Sequence, residues 1–341
     1  MDLKEIYERA RERFKGVCRV CAQCNGRVCA GEMPGIGGVG TGSSFIANFD
    51  SLSRIKLNLC TIHDAAVPDI SYDFFGLRLQ MPILIAPVAG MAMNMGNAME
   101  EREYLKGLVE GGKEAGSICF TCDGPNPIFF ELGMEILRKS HGWGVPTIKP
   151  REEKAFLERV RRAEEAKVPV IATDIDAAGI IHMKRAGQPA GPWPVKAWER
   201  MISQTKLPVL LKGVMTVRDA KLAMEAGAAG IVVSNHGGRV LDHTPGTAEV
   251  LPEIASAVKG RLKILVDGGV RGGVDTLKML GLGAEAVLVG RPMAIACVGG
   301  GSEGVAFLLN RYADELRTAM IYTGCRSLSE ITPDILYGKD M

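Results

Sequence analysis

The sequence predicts an α/β protein: a TIM (β/α)8 barrel preceded by a short helix and a Cys/Gly-rich extension. Short apolar, β-branched runs recur eight times, charged segments with helical spacing separate most of them, and polar residues fall directly after the runs. A chain of 341 residues has room for such a barrel, which commonly runs to about 250 residues. Aromatic residues make up only 6%, which suits buried parallel strands better than an aromatic-rich β-sandwich. A doubly wound open sheet is the competing architecture. The clustering of polar residues at one end of the runs favours the barrel.

The elements follow in order. "MDLKEIYERARERFKG" at the start is charged throughout and reads as a short amphipathic surface helix, without the apolar core of a signal peptide. A Cys- and Gly-rich stretch at 17–43 comes next, so residues 1–48 are expected to form an extension and 49–341 the barrel. The eight strand-like runs are "PILIAP" (82–87), "SICFT" (117–121), "GVPTI" (144–148), "PVIATD" (169–174), "PVLLKG" (208–213), "GIVVSN" (230–235), "KILVDG" (263–268) and "AVLVG" (286–290). "REEKAFLERVRRAEEAK" and "TVRDAKLAMEAGA" are typical of the helical segments between them.

Composition narrows the function. The net charge of +2 offers no basic face for nucleic acid. No run approaches the ~18 uninterrupted apolar residues that span a bilayer, so no membrane partner and a cytoplasmic location are expected. Nine cysteines in such a protein point to reduced thiols or metal ligands rather than a disulfide framework.

Lys212 ends the fifth run, Asn235 and His236 follow the sixth, Asp267 ends the seventh, and Gly290 and Arg291 end the eighth. In a barrel these C-terminal strand ends converge on one mouth. "VDGGVRGG" (266–273) and "LVGRP" (288–292) occupy the usual phosphate-binding position, where glycines let backbone N–H groups approach and Arg271 or Arg291 adds charge. The chain has no Walker ending and no convincing GxGxxG entering a helix, which argues against an ATPase or dinucleotide site. "SNHGGRVLD" (234–242) adds an imidazole that can accept a proton and a guanidinium, Arg239, that can clamp a carboxylate. Together they suit a small substrate with an acid group beside a bond to be oxidised.

"LLKGVMTVRDAKLAMEAGAAGIVVSNHGGRVLD" and "LVDGGVRGGVDTLKMLGLGAEAVLVGRP" resemble the FMN-dependent α-hydroxy acid oxidases and dehydrogenases of the glycolate oxidase and lactate oxidase type. The resemblance is strong over about 207–295 and fair over 50–91. It implies FMN as cofactor, a small hydroxy acid as substrate, an electron acceptor of unknown identity, and a homotetramer. His236 would be the base and Arg239 the substrate-carboxylate ligand. Lys212 would lie beside the flavin N1/O2 edge, and Pro87, Val88 and Ala89 would back the ring. Ser234, Asp267, Gly268, Gly269, Arg271, Gly290 and Arg291 would complete the cofactor site.

The chain departs from that pattern in several places. "CAGEMPGIGGVGTGSS" has no tyrosine where the family places one, and "VPTIKP" replaces a second tyrosine motif. "DID" puts Asp174 where a threonine usually touches flavin. The second substrate arginine would fall near Met183, with Lys184 or Arg185 as replacements, and the link from Asp176 to Lys212 is short. Lys149 and Lys184 keep open an isopentenyl diphosphate isomerase-like barrel acting on a phosphorylated substrate. A non-catalytic flavin- or metal-binding protein is the third reading.

"CRVCAQCNGRVC" sets Cys18, Cys21, Cys24 and Cys29 in a C-x2-C-x2-C-x4-C pattern. Zinc, an iron–sulfur cluster, reactive thiols and simple packing all remain open for them. Cys119 and Cys122 form a further C-x2-C, and Cys122 falls where the family has a flavin-contacting serine.

Overall fold

The computed structural model describes residues 1–188 and 190–338; residues 339–341, the end of the expected barrel range, lie outside the described residues. Tyr72–Phe74 (β1) and Leu77–Leu79 (β2) form an antiparallel hairpin. Eight further strands share one parallel sheet: Ile83–Ile85 (β3), Phe120–Thr121 (β4), Val145–Ile148 (β5), Ile171–Asp174 (β6), Val209–Val214 (β7), Gly230–Val233 (β8), Lys263–Asp267 (β9) and Ala286–Val289 (β10). Every run expected from the sequence is among them. The strand order is β3-β10-β9-β8-β7-β6-β5-β4. Its two ends meet where Ile85 bridges Cys119 and donates its N–H to Ile118 O at 3.0 Å. The sheet is therefore a barrel, and the open-sheet alternative falls away.

Strand alternation decides what the barrel holds. Leu84, Ala86, Phe120, Val145, Val170, Ala172, Leu210, Val232, Leu265 and Leu288 pack together as the interior core. The intervening Ile83, Ile85, Ile171, Val209, Ile231, Val233, Ile264, Val266 and Val287 join a second core, shared with the surrounding helices. Two residues beyond Ala172, Leu210, Val232 and Leu265, the inward positions become Asp174, Lys212, Ser234 and Asp267, all buried. The polar layer of the mouth is thus the next step of a period-two pattern whose lower steps are apolar.

The hairpin was not foreseen. Its Phe74 closes the bottom of the barrel, fully buried with its ring 6.2 Å from that of Phe120. Helix Leu3–Phe14 is amphipathic as expected, yet it is more than a surface feature. Ile6, Ala10 and Phe14 are buried, and Arg13 donates to Val298 O at 2.6 Å. Its dock is helix Arg291–Thr323, 33 residues long and interrupted at Gly301. That helix is long and apolar enough to cross a bilayer, but 72% of its most apolar window is buried against the protein, as befits a core helix.

Candidate active site

Four buried charges meet on the floor of the mouth. Asp174 and Lys212 are register partners on β6 and β7, and Lys212 Nζ lies 3.2 Å from Asp174 Oδ1 and 3.6 Å from Asp267 Oδ2. Lys149, just past β5, donates to Asp174 Oδ2 at 3.0 Å. Ser234 joins the group by donating to Asp267 Oδ1 at 2.8 Å and accepting from Lys212 Nζ at 3.3 Å. Burial by itself would raise the Asp174 pKa. The two lysines outweigh it and hold this carboxyl well below the usual range. Burial likewise opposes charge on Lys212, and Asp174 and Asp267 overcome it, so its pKa is raised. The floor is an ionised cluster in which neither lysine is free.

His236 stands on the wall above this floor. Its Nδ1 faces the Asp176 carboxylate at 3.0 and 3.1 Å, and its backbone N–H donates to Ser234 Oγ at 3.0 Å. Asp176 comes from the 3-10 turn that follows β6. It fits because its neighbour on β7 is Gly213, at a register shift and with φ 111°. A Cβ on Gly213 would lie 2.6 Å from Asp176 Cβ and Cγ. With Nδ1–H donated to a carboxylate, Nε2 is left as the nitrogen able to accept a proton. Gly238, two residues on, has φ 78° and passes so close to helix Ser43–Arg54 that a Cβ would come within 2.4 Å of Phe45 N.

Three arginines form the upper rim, held by the N-terminal extension. Arg239 donates from Nη1 to Gly35 O (2.6 Å) and Gly37 O (3.2 Å), and from Nη2 to Asn94 Oδ1 (3.0 Å). Arg291 donates to Ile36 O (2.7 Å), Gly37 O (3.1 Å) and Gly237 O (3.0 Å). Arg271 donates to Cys24 O from Nε (3.0 Å) and Nη2 (2.7 Å). All these oxygens are neutral. Burial and then the like charge of Arg291 pull the Arg239 pKa down, and burial pulls the Arg291 pKa down to about 10. Arg239 and Arg291, desolvated with only neutral oxygens as hydrogen-bond partners, are poised to take an anion.

One cavity, open to solvent, joins these groups. Its lining includes His236, Arg239, Lys212, Asp267, Gly268, Gly269, Arg271, Gly290 and Arg291, together with Pro87, Val88 and Ala89. Ser234 lies beneath, tied to the floor. Sequence-distant residues thus converge as expected. Two expectations fail. Lys184 and Arg185 are exposed and do not line the cavity, so neither replaces the second arginine; Met183 itself does line it. Lys149 lines the cavity, but its ammonium is tied to Asp174 rather than held out for a phosphate.

Other contributors were missed. Asp176 could have been read from the two-residue step in "DID", which repeats the strand period. Asn94 sits in the short helix Met91–Asn94, whose start is fixed by Glu101 accepting from Gly90 N (2.9 Å) and Met91 N (2.6 Å). Nothing local marks it. Met33, Met93, Ile180 and Phe129 make part of the wall apolar. Cys122 is also in the lining, and burial pushes its thiol pKa well up, so it behaves as a small neutral group.

The residues present fit the cofactor that the resemblance implies. Gly268 and Gly269 both have positive φ and bare backbone at the cavity edge, which suits a phosphate approached by N–H groups. The guanidinium groups of Arg271 and Arg291 beside them have no carboxylate among their hydrogen-bond partners. Pro87–Ala89 supply an apolar face, and buried Lys212 supplies a cation.

The four N-terminal cysteines gather beside this cavity around a small recess, with Arg291 and Ile295 also in its lining. Burial pushes the Cys18 thiol up to about 11 against a hydrogen bond from Val20 N–H, and Cys24, Cys21 and Cys29 add to the rise. Tetrahedral zinc with ~2.3 Å bonds needs sulfurs about 3.8 Å apart. Among the described residues the one trio of ligand atoms within 4.8 Å of one another is Asp174, Asp176 and His236, so the thiols do not form that tetrahedron.

Comparison with known proteins places this geometry in context. The family described as FMN-dependent dehydrogenase matches residues 36–188 and 181–338. The chain is 35% identical to 4-hydroxymandelate oxidase of Amycolatopsis orientalis, covering 86% of this chain and 89% of that one. It is 32% identical to glycolate oxidase of Spinacia oleracea, over 84% and 85% of the two chains. It is also 32% identical to L-lactate dehydrogenase of Allorhizobium ampelinum, over 85% and 89%. A crystal structure of mandelate oxidase superposes with a TM-score of 0.80 at 31% identity, covering 98% of this chain and 97% of that one.

Proposed function

The chain belongs to the FMN-dependent dehydrogenase family, and from that premise we propose that it oxidises a 2-hydroxy acid bearing an apolar side chain, with His236 as the base. FMN, when bound, supplies the two-electron acceptor. Lys212, Gly268, Gly269, Arg271, Gly290 and Arg291 are the residues that would hold it. Asp176 fixes the His236 imidazole with Nδ1–H toward its carboxylate, so Nε2 takes the proton from the substrate hydroxyl. The Asp176 charge then stabilises the imidazolium that results. Arg239 binds the substrate carboxylate, held in place by Gly35 O and Asn94 Oδ1. Met93, Ile180, Met183 and Phe129 leave an apolar wall for the substrate side chain.

The observation that carries this reading is a carboxylate-backed imidazole and a carboxylate-free guanidinium lining one cavity. A phosphorylated substrate has lost its support, since Lys149 is neutralised by Asp174 and Lys184 lies outside the cavity lining. The family resemblance and the exposed Leu59, Ile62 and Val67 support a homotetramer, which light scattering in solution checks. The test of function is anaerobic. Lactate, glycolate and mandelate are each mixed with the purified yellow protein, and at least one should bleach the flavin. His236→Ala should keep the flavin and lose the bleaching. Equal rates in variant and parent would remove His236 as base, and no bleaching by any 2-hydroxy acid would remove the substrate class.

A further inference from the structure

The chemistry above leaves four cysteines unused. We propose that Cys18, Cys21, Cys24 and Cys29 bind an iron–sulfur cluster that carries electrons from the reduced cofactor to a one-electron carrier outside the protein. The cluster assignment stands by itself; its electron supply rests on the FMN reading of the neighbouring cavity.

Three features point to this ligand. All four thiols are free and line the same recess, although they span twelve positions of an irregular segment. Their separations are too wide for one tetrahedral ion. A cluster interposes iron and sulfide between its thiolates and so holds them further apart than a single ion does. The sulfurs also have donors aimed at them. Val20 N–H approaches Cys18 Sγ at 3.4 Å, and Arg271 Nη2 approaches Cys24 Sγ at 3.7 Å while anchored on Cys24 O. Such N–H···S contacts and a nearby cation are the means by which a protein tunes an anionic cluster. Arg291 lines both the recess and the active-site cavity, so the two sites share a wall one side chain thick.

The electron count closes. Oxidation of one 2-hydroxy acid to its 2-oxo acid releases two electrons and two protons. The cluster accepts one electron, passes it to one oxidised carrier, then repeats the cycle. Two carriers are reduced for each substrate, and the two protons go to solvent. Cys21, Cys24 and Cys29 are partly exposed, so a carrier can approach from outside.

The experiment uses the full chain purified without oxygen and reconstituted with iron and sulfide. About four irons and about four acid-labile sulfides per chain are expected, with a broad absorption that dithionite bleaches and an electron paramagnetic resonance signal on reduction. Cys21→Ser and Cys24→Ser should lose the iron and keep FMN; Cys60→Ser, outside the recess, should keep both. One zinc per chain in place of iron, or equal iron in Cys21→Ser and parent, overturns the cluster. Electron transfer is read separately, by reducing the flavin with light. The cluster signal should then grow as reduced flavin is reoxidised, in the parent and not in Cys21→Ser. A loaded cluster that stays oxidised beside reduced flavin overturns the relay, whatever the outcome with hydroxy acids.

Discussion

Replacing Asp176 by Asn isolates the charge behind His236. The substitution keeps shape and an oxygen acceptor, and removes one negative charge from the 3.0–3.1 Å contact with Nδ1. Both side chains are largely shielded, at 18% and 8% exposure. Between unit charges at about 4 Å and an effective dielectric of about 20, the attraction is about 4 kcal/mol. Partial exposure of the imidazole, and the Asp174 charge that remains close by, reduce the loss to about 2–3 kcal/mol. At about 1.4 kcal/mol per tenfold, proton abstraction should slow by about 30- to 150-fold. The amide can also turn its NH2 toward Nδ1, which would place the ring proton on Nε2 and block the base; any such inversion deepens the loss. The assay is stopped-flow bleaching of the flavin under anaerobic, substrate-saturated conditions, with FMN content measured in parallel. A variant that retains FMN and is reduced within about threefold of the parent rate would refute the role given to Asp176.

Other substitutions probe the remaining parts of the site. Gly213→Ala puts a methyl 2.6 Å from the Asp176 side chain and should slow flavin reduction by at least about tenfold with cofactor content unchanged; a normal rate would show that Asp176 can move without consequence. Arg239→Met removes charge-assisted bonds worth about 1.5–3 kcal/mol, so half-saturation by the hydroxy acid should rise about 10- to 150-fold, and an unchanged value would reassign the carboxylate site. Arg291→Ala should weaken FMN retention on dialysis, unless the phosphate lies elsewhere. Asp174→Asn leaves Lys149 and Lys212 sharing no carboxylate and should cost about 3–5 kcal/mol in urea unfolding. Because folding lowers the Asp174 pKa, its stabilisation is complete above the unfolded value near ~3.9 and is lost as pH falls toward the folded one. The melting temperature of the parent should therefore drop as pH is taken below about 4, and Asp174→Asn should flatten that limb; parallel acid limbs would contradict the pairing.

The sequence by itself determined the barrel and most of its mouth. A strand buried on both faces must be apolar along its length, so β3–β10 appear as β-branched runs without any partner in view. Period two then carries the inward face from Leu210 to Lys212 and from Leu265 to Asp267, so the polar ends of the runs already name the floor. The cysteine spacing was equally plain, because all four fall within twelve residues. Only the tertiary structure decided what those groups face. His236 meets Asp176 sixty positions away, through a contact that exists because β6 lies beside β7 and Gly213 leaves room. Arg239 is oriented by Gly35 and Asn94, and Lys184 points outward although its position in the chain suggested the cavity. Hydrophobic periodicity is a local signal that fixes which face of an element is buried. The direction of a loop side chain depends on barrel closure and on the segment laid across it, and no local pattern records either.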